Sequence, residues 1–171
     1  MNTNSSAIII CVPELRANDA VGNDVFLQYK ALKLKYNKIY IYAQKYEKQF
    51  DRYVISWNKF KKLLINPLTT VIYHHCVFWE LANTILQFAN CKLYLRYHGL
   101  TPSIFFKKYN DIESVYATKQ GDKQTLDFIK SKKFSKFLPT SNYIAKELFD
   151  TNVPQDSTYI IPPFNLIDDF K

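Results

Sequence analysis

The sequence predicts an α/β domain built on a mostly parallel sheet with helices on both faces, and three observations carry that prediction. Short apolar runs alternate repeatedly with amphipathic stretches along the chain, which is the pattern of strand–helix–strand units. The first run, Ala7 to Val12, is apolar throughout, as a parallel strand covered on both faces requires. No Asn-Gly or similar hairpin turn joins successive runs, so adjacent strands must be linked by crossovers.

Taken in order, Ala7–Val12 is the first strand and Pro13–Gly22 a loop. Asn23 or Asp24 is expected to cap a helix that runs to about Tyr36. Lys38–Ala43 is a second strand. Arg52–Ser56 fits a short strand, and Lys59–Ile65 a helix stopped by Asn66-Pro67. Thr69–His74 follows as a strand. Phe78–Ala89 is then a helix whose apolar residues recur at spacings of three and four, defining one buried stripe. Lys92–Tyr97 is a strand that ends at His98-Gly99, after which Thr101 as N-cap and Pro102 at the first position open a short helix. Glu113–Ser131 reads as a long polar helix interrupted by Gly121. A strand over Lys136–Thr140, a helix from Ser141 or Asn142 through Leu148, and a last strand over Thr158–Ile161 complete the pattern. Pro162-Pro163 and Phe164–Lys171 read as an exit from the domain.

Length and composition narrow the class. A chain of 171 residues suffices for one domain, burying roughly 68–70% of its unfolded surface. Hydrophobic content of 47% with 22% charge argues against disorder. The net charge of +8 comes almost wholly from lysine, because arginine occurs only at Arg16, Arg52 and Arg96. Arginine is the better bidentate phosphate ligand, and no RNA-recognition or zinc-finger signature is present. A solvated lysine face is therefore preferred to a nucleic-acid surface. Aromatics within the basic stretches Trp57–Lys62 and Phe105–Tyr109 keep an anionic membrane surface as an option. Cys11, Cys76 and Cys91 show no metal-ligand spacing and read as free thiols in a reducing cytoplasm. No window approaches the ~20 apolar residues of a membrane span, and Met1–Ser6 has no leader character.

Two neighbouring strand ends carry titratable groups. Tyr73-His74-His75 closes one strand, and His98-Gly99 closes the next; open α/β sheets present binding groups at such carboxyl ends. The loop Asn18–Asp24 leads into the first helix, whose N-terminal amides suit a phosphate or a sugar hydroxyl. It lacks the three glycines of a dinucleotide fingerprint. A zinc site from His74, His75 and His98 is disfavoured, since adjacent strand residues point to opposite faces. No serine sits in a nucleophile elbow.

The order Asp19-Ala-Val-Gly-Asn-Asp24, Tyr73-His-His75, Arg96-Tyr-His-Gly-Leu-Thr-Pro102 with Phe105, Phe106 and Tyr109 resembles the N-terminal half of glycosyltransferase family 4. Gly121, Leu138-Pro-Thr-Ser-Asn-Tyr143 with Glu147-Leu148, and Ile160-Ile-Pro-Pro163 continue the likeness in the same order. The resemblance is to bacterial enzymes of polysaccharide and O-antigen synthesis. It implies a Rossmann-like domain spanning 1–171, the acceptor-side half of a two-domain B-type glycosyltransferase whose C-terminal donor-binding domain is absent from this sequence. The implied activity is retaining, hexosyltransferase-like transfer from a nucleotide-sugar donor, without a metal or other cofactor, to a glycan or lipid-linked glycan. The implied location is cytoplasmic, with peripheral contact at the inner face of the membrane. By position, His98 matches the family's cleft histidine and is the candidate catalytic residue. Asp19, Gly22, Asn23, His75, Gly99 and Ser141 are candidate substrate contacts. Relatives usually have arginine after the glycine matching Gly121, whereas Asp122 stands here, so Lys119 or Lys123 is expected to replace that contact. A stand-alone carbohydrate- or nucleotide-binding module and a basic nucleic-acid-binding domain are the rival readings.

Overall fold

The computed structural model describes residues 6–109 and 111–164. Strands β1 (Ile8–Leu15), β2 (Ile39–Tyr46), β3 (Thr70–His75), β4 (Lys92–Tyr97) and β5 (Phe134–Pro139) form one sheet in the order β2-β1-β3-β4-β5. Every pairing is parallel. Helices α1 (Ala20–Lys33), α2 (Trp57–Leu64), α3 (Glu80–Phe88), α4 (Ile104–Lys107), α5 (Ile112–Ser131) and α6 (Asn142–Phe149) make the connections. The α/β, Rossmann-like class expected from the sequence is the class observed. Among the described residues no helix is long and apolar enough to cross a membrane.

Strand alternation splits the core in two. Ile9, Cys11, Val71, Tyr73, Leu93, Leu95 and Tyr97 point to one face, where Phe60 and Leu64 of α2, Ala82 and Ile85 of α3, and Phe128 of α5 cover them. Ile10, Val12, Ile41 and Ala43 point to the other, against Val25 of α1 and Phe50. A bulge between Leu93 and Tyr94 lets β5 carry both Phe134 and Phe137 to the first face.

Several boundaries differ from the sequence expectation, each for a local reason. Helix α1 starts four to five residues early: Asp19, not Asn23 or Asp24, is its N-cap, with Oδ2 accepting the Gly22 N–H at 2.9 Å. Gly22 therefore lies inside the first turn. It is required there because a Cβ would sit 2.0 Å from the Arg16 carbonyl oxygen. Helix α2 begins at Trp57, capped by Ser56, and the segment before it offers only a bridge between Val54 and Ile41. Thr101 and Pro102 lie ahead of α4, whose N-cap is Ser103. The expected last strand is a short edge segment instead: Thr158 bridges Phe137, and the amides of Tyr159 and Ile161 donate to the carbonyls of Phe137 and Pro139. Of the expected exit segment, Asn165–Lys171 lies outside the described residues.

Strand order reverses at β1, with β2 on one side and β3 to β5 on the other. In open α/β sheets the ligand crevice forms outside the carboxyl ends of strands at such a reversal. Here that point lies between Leu15 of β1 and His75 of β3.

Candidate functional site

A cavity of about 390 Å³ occupies the expected crevice, lined by Pro13, Glu14, Arg16, Asp19, Val21, Cys76 and Val77. A second, of about 180 Å³, shares Cys76 and Val77 and continues to Leu100, Thr101 and Phe106. The first turn of α1 borders the larger cavity. Asp19 consumes the Gly22 amide through its side chain and the Asn23 amide through its carbonyl. Among the described residues, the Ala20 and Val21 amides remain the unspent donors of this helix N-terminus.

Beside the crevice lies a buried polar network that begins at Arg96 of β4, a side chain with no exposure at all. Its Nε and Nη2 donate to Oδ2 and Oδ1 of Asp24 on α1, at 2.9 and 3.1 Å. The remaining donors reach the carbonyls of Leu138, Ile161 and Pro162. The Phe164 amide donates to the same Asp24 carboxylate at 2.7 Å. A buried charge must be paired and hydrogen-bonded to be tolerated, and this guanidinium satisfies both conditions. The pair thus ties β4 to α1 and holds the exit segment over the strand ends.

Two histidines adjoin this pair. His74 Nε2 donates to Gln28 Oε1 at 3.0 Å, so Nδ1 of the neutral ring accepts. It takes the Nε2–H of His98 at 3.0 Å, with Asp24 Oδ2 3.5 Å from the same nitrogen. Burial, and then the neighbouring His98 and Arg96, hold His74 well below the usual histidine range. Burial pushes His98 down to about 4 despite the opposing pull of Asp24. Both rings are neutral at physiological pH. His98 is 11% exposed, and among the described residues its Nδ1 has no partner, so it presents a hydrogen-bond acceptor at the rim.

Asp24, His74 and His98 place ligand atoms within 4.8 Å of one another, a spacing a metal ion could use. Both Asp24 oxygens already accept from Arg96, and His74 Nε2 is committed to Gln28. The trio is therefore built as a hydrogen-bond network around a buried cation, and the donor set does not fit a metal.

The remaining candidates separate. Asp19, Gly22 and Asn23 share the first turn of α1, while His98 and Gly99 close β4. Gly99 adopts φ +80°, and a Cβ there would meet Ile144 Cδ1 at 2.5 Å, so turn geometry and packing against α6 explain it. His75 does not join the crevice. It is fully buried on the helix-rich face, where Nε2 donates to Thr125 Oγ1 at 2.8 Å and Nδ1 accepts from the Tyr73 hydroxyl at 3.2 Å. Burial lowers it to about 3. Its neighbour His74 is the residue that meets His98. Lys119 and Lys123 are exposed on α5; that helix buries Gly121, Gln124, Thr125 and Phe128, and at about 100° per residue both lysines fall on the opposite face. Ser141 caps α6, its Oγ accepting the Ile144 amide at 3.2 Å. Asp24, Gln28 and Arg96 were not candidate site residues from the sequence, and His74 was named there only within the strand-end histidine pair. Compared with known proteins, the chain matches no family model, no curated protein and no solved structure.

Proposed function

We propose that this chain is the acceptor-side domain of a retaining, nucleotide-sugar-dependent glycosyltransferase of cell-surface polysaccharide synthesis. The observation that supports this reading best is His98. Its ring stands at the carboxyl end of β4, held neutral by burial, with Nε2 committed to His74 and Nδ1 facing outward as an acceptor. Such a group suits a hydroxyl, which donates to it, and gives nothing to a phosphate or carboxylate. A sugar hydroxyl is the natural partner. The Ala20 and Val21 amides at the N-terminus of α1 add a donor pair suited to an anionic group, in keeping with the diphosphate of a nucleotide sugar near the crevice and its sugar toward His98. His98 then orients the transferring sugar as charge develops at its anomeric carbon, while Asp24, Arg96 and His74 hold the ring in position. The partner domain supplies the nucleotide pocket.

Transfer assays test this reading. The 171-residue chain alone is expected to show no turnover with a nucleotide sugar and a glycan acceptor, because joint positioning of both reactants contributes roughly 7–11 kcal/mol and an acceptor-side domain positions only one of them. In the two-domain enzyme, His98→Ala should lower kcat/KM by at least ~10²-fold with unfolding behaviour nearly unchanged. Replacing Lys59, whose Nζ lies over the Tyr40 ring on the outer surface, should leave transfer to a soluble acceptor intact. Turnover by the isolated chain, or near-normal kcat/KM in the His98 variant, would overturn the proposal.

A further inference from the structure

A further cavity lies away from the residues that line the crevice. It is an apolar groove of about 530 Å³ between α2 and α3, lined by Trp57, Leu64, Ile65 and Phe88 with Lys61 and Lys62 at its edge. Ile65 is 60% exposed and Phe88 59%, although both sit at helix ends where a polar residue would cost nothing. Large apolar side chains left open side by side mark a contact surface.

Charge around the groove is of one sign. Helix α2 carries Lys59, Lys61 and Lys62 and no acidic residue. Lys133 adds another ammonium, donating to the Leu86 and Gln87 carbonyls at the end of α3. The acidic residue of α3, Glu80, lies in its first turn, two turns away from Phe88. Among the described residues neither Lys61 nor Lys62 pairs with a carboxylate. Lys61 instead rests over the Trp57 ring at 5.6 Å. Lysine stems that lie along apolar surface with their heads free, beside a tryptophan, have the composition of a lipid interface.

We propose that the α2–α3 groove seats this protein on an anionic lipid bilayer, with Ile65 and Phe88 entering the acyl region and Lys61 and Lys62 meeting the headgroups. The surface is independent of the glycosyltransferase reading. Ile65 and Phe88 end the helices that lead into β3 and β4, so these two side chains lie toward the amino ends of the strands, away from His98. A docked protein would hold that rim away from the headgroups by about one strand length, ~20 Å.

Co-sedimentation of the protein with vesicles of phosphatidylcholine containing 30% phosphatidylglycerol, and with pure phosphatidylcholine vesicles, tests the proposal. Binding is expected to the anionic vesicles and to weaken as salt is raised. Lys61→Glu with Lys62→Glu should reduce partitioning tenfold or more, each lysine near an anionic surface contributing about 1 kcal/mol. Ile65→Glu with Phe88→Glu should abolish it; these side chains are exposed, and an unchanged melting temperature would show that the fold survives. The control is Phe105→Glu with Ile112→Glu, which alters a second exposed apolar cluster around α4 and should leave binding unchanged. Absence of binding to the anionic vesicles, equal binding to both vesicle types, or loss in the control rather than in the groove variants would overturn it.

Discussion

Lowering the pH from 7 to 4.5 is expected to remove about 5 kcal/mol of folding stability or more, enough to unfold a domain at the lower end of ordinary stability. His74, His75 and His98 all have depressed proton affinity in the folded protein, chiefly through burial. In the unfolded chain each would titrate near 6.5. As pH falls below that value, the unfolded state takes up protons that the folded state refuses, so stability rises with pH across this window. The contribution is complete above about 6.5 and is lost progressively toward the folded values, about 4 for His98 and about 3 for His75. Each histidine adds about 1.4 kcal/mol per pH unit to the slope. Asp122 and Glu147 shift in the opposite sense, but both are largely solvated and their effect is small. Urea titrations at pH 7, 6 and 5 would measure the slope. His75→Gln, which can still donate to Thr125, should flatten it by about a third, and a midpoint that stays level down to pH 5 would refute the assignment of three neutral buried rings.

Asp24→Ala is expected to cost about 3–5 kcal/mol, because it strands a fully buried guanidinium. For a domain of this size the melting temperature should fall by about 10 °C or more. The pair itself is a different matter: replacing both charges with apolar groups of similar volume is often neutral or better. Asp24→Leu with Arg96→Met should therefore recover more than half of the loss, a large non-additivity in a double-mutant cycle. If the double variant were as unstable as the sum of the singles, the ion pair would not be the cause. Loss of the bond that the Phe164 amide donates to the same carboxylate would account for any part that is not recovered.

The fold was readable because its signals are local. Continuous apolar runs marked β1, β2, β3 and β4, and spacings of three and four marked α3. The N-terminus of α1 was not readable, since Gly22 normally argues for a loop. Its place in a helix depends on the Arg16 carbonyl lying against it, a contact between residues six apart that composition does not reveal. The histidines show a subtler limit. Alternation says that His74 and His75 face opposite ways, but not which way. The deciding fact is register, which pairs His74 with Arg96; His98, two residues beyond Arg96, then shares its side. Arg96 itself ran against expectation, because arginine is almost never fully buried unless paired. Its partner lies 72 residues away, beyond the reach of any local pattern. The functional reading had less to rest on: His98 stands at the rim with 11% exposure, Lys119 and Lys123 are exposed on α5, and Ser141 caps α6.

The Asp24 carboxylate serves two neighbours at once. One oxygen lies 3.5 Å from the His98 ring nitrogen and the other holds the Phe164 amide. Any event at the rim that shifts or charges the His98 ring changes what that carboxylate can offer Phe164, and any pull on the exit segment changes the field at His98. Thermodynamic reciprocity makes the two effects equal. The Phe164 amide is thus a reporter of the crevice: its hydrogen-exchange protection should rise or fall with occupancy of the rim at His98.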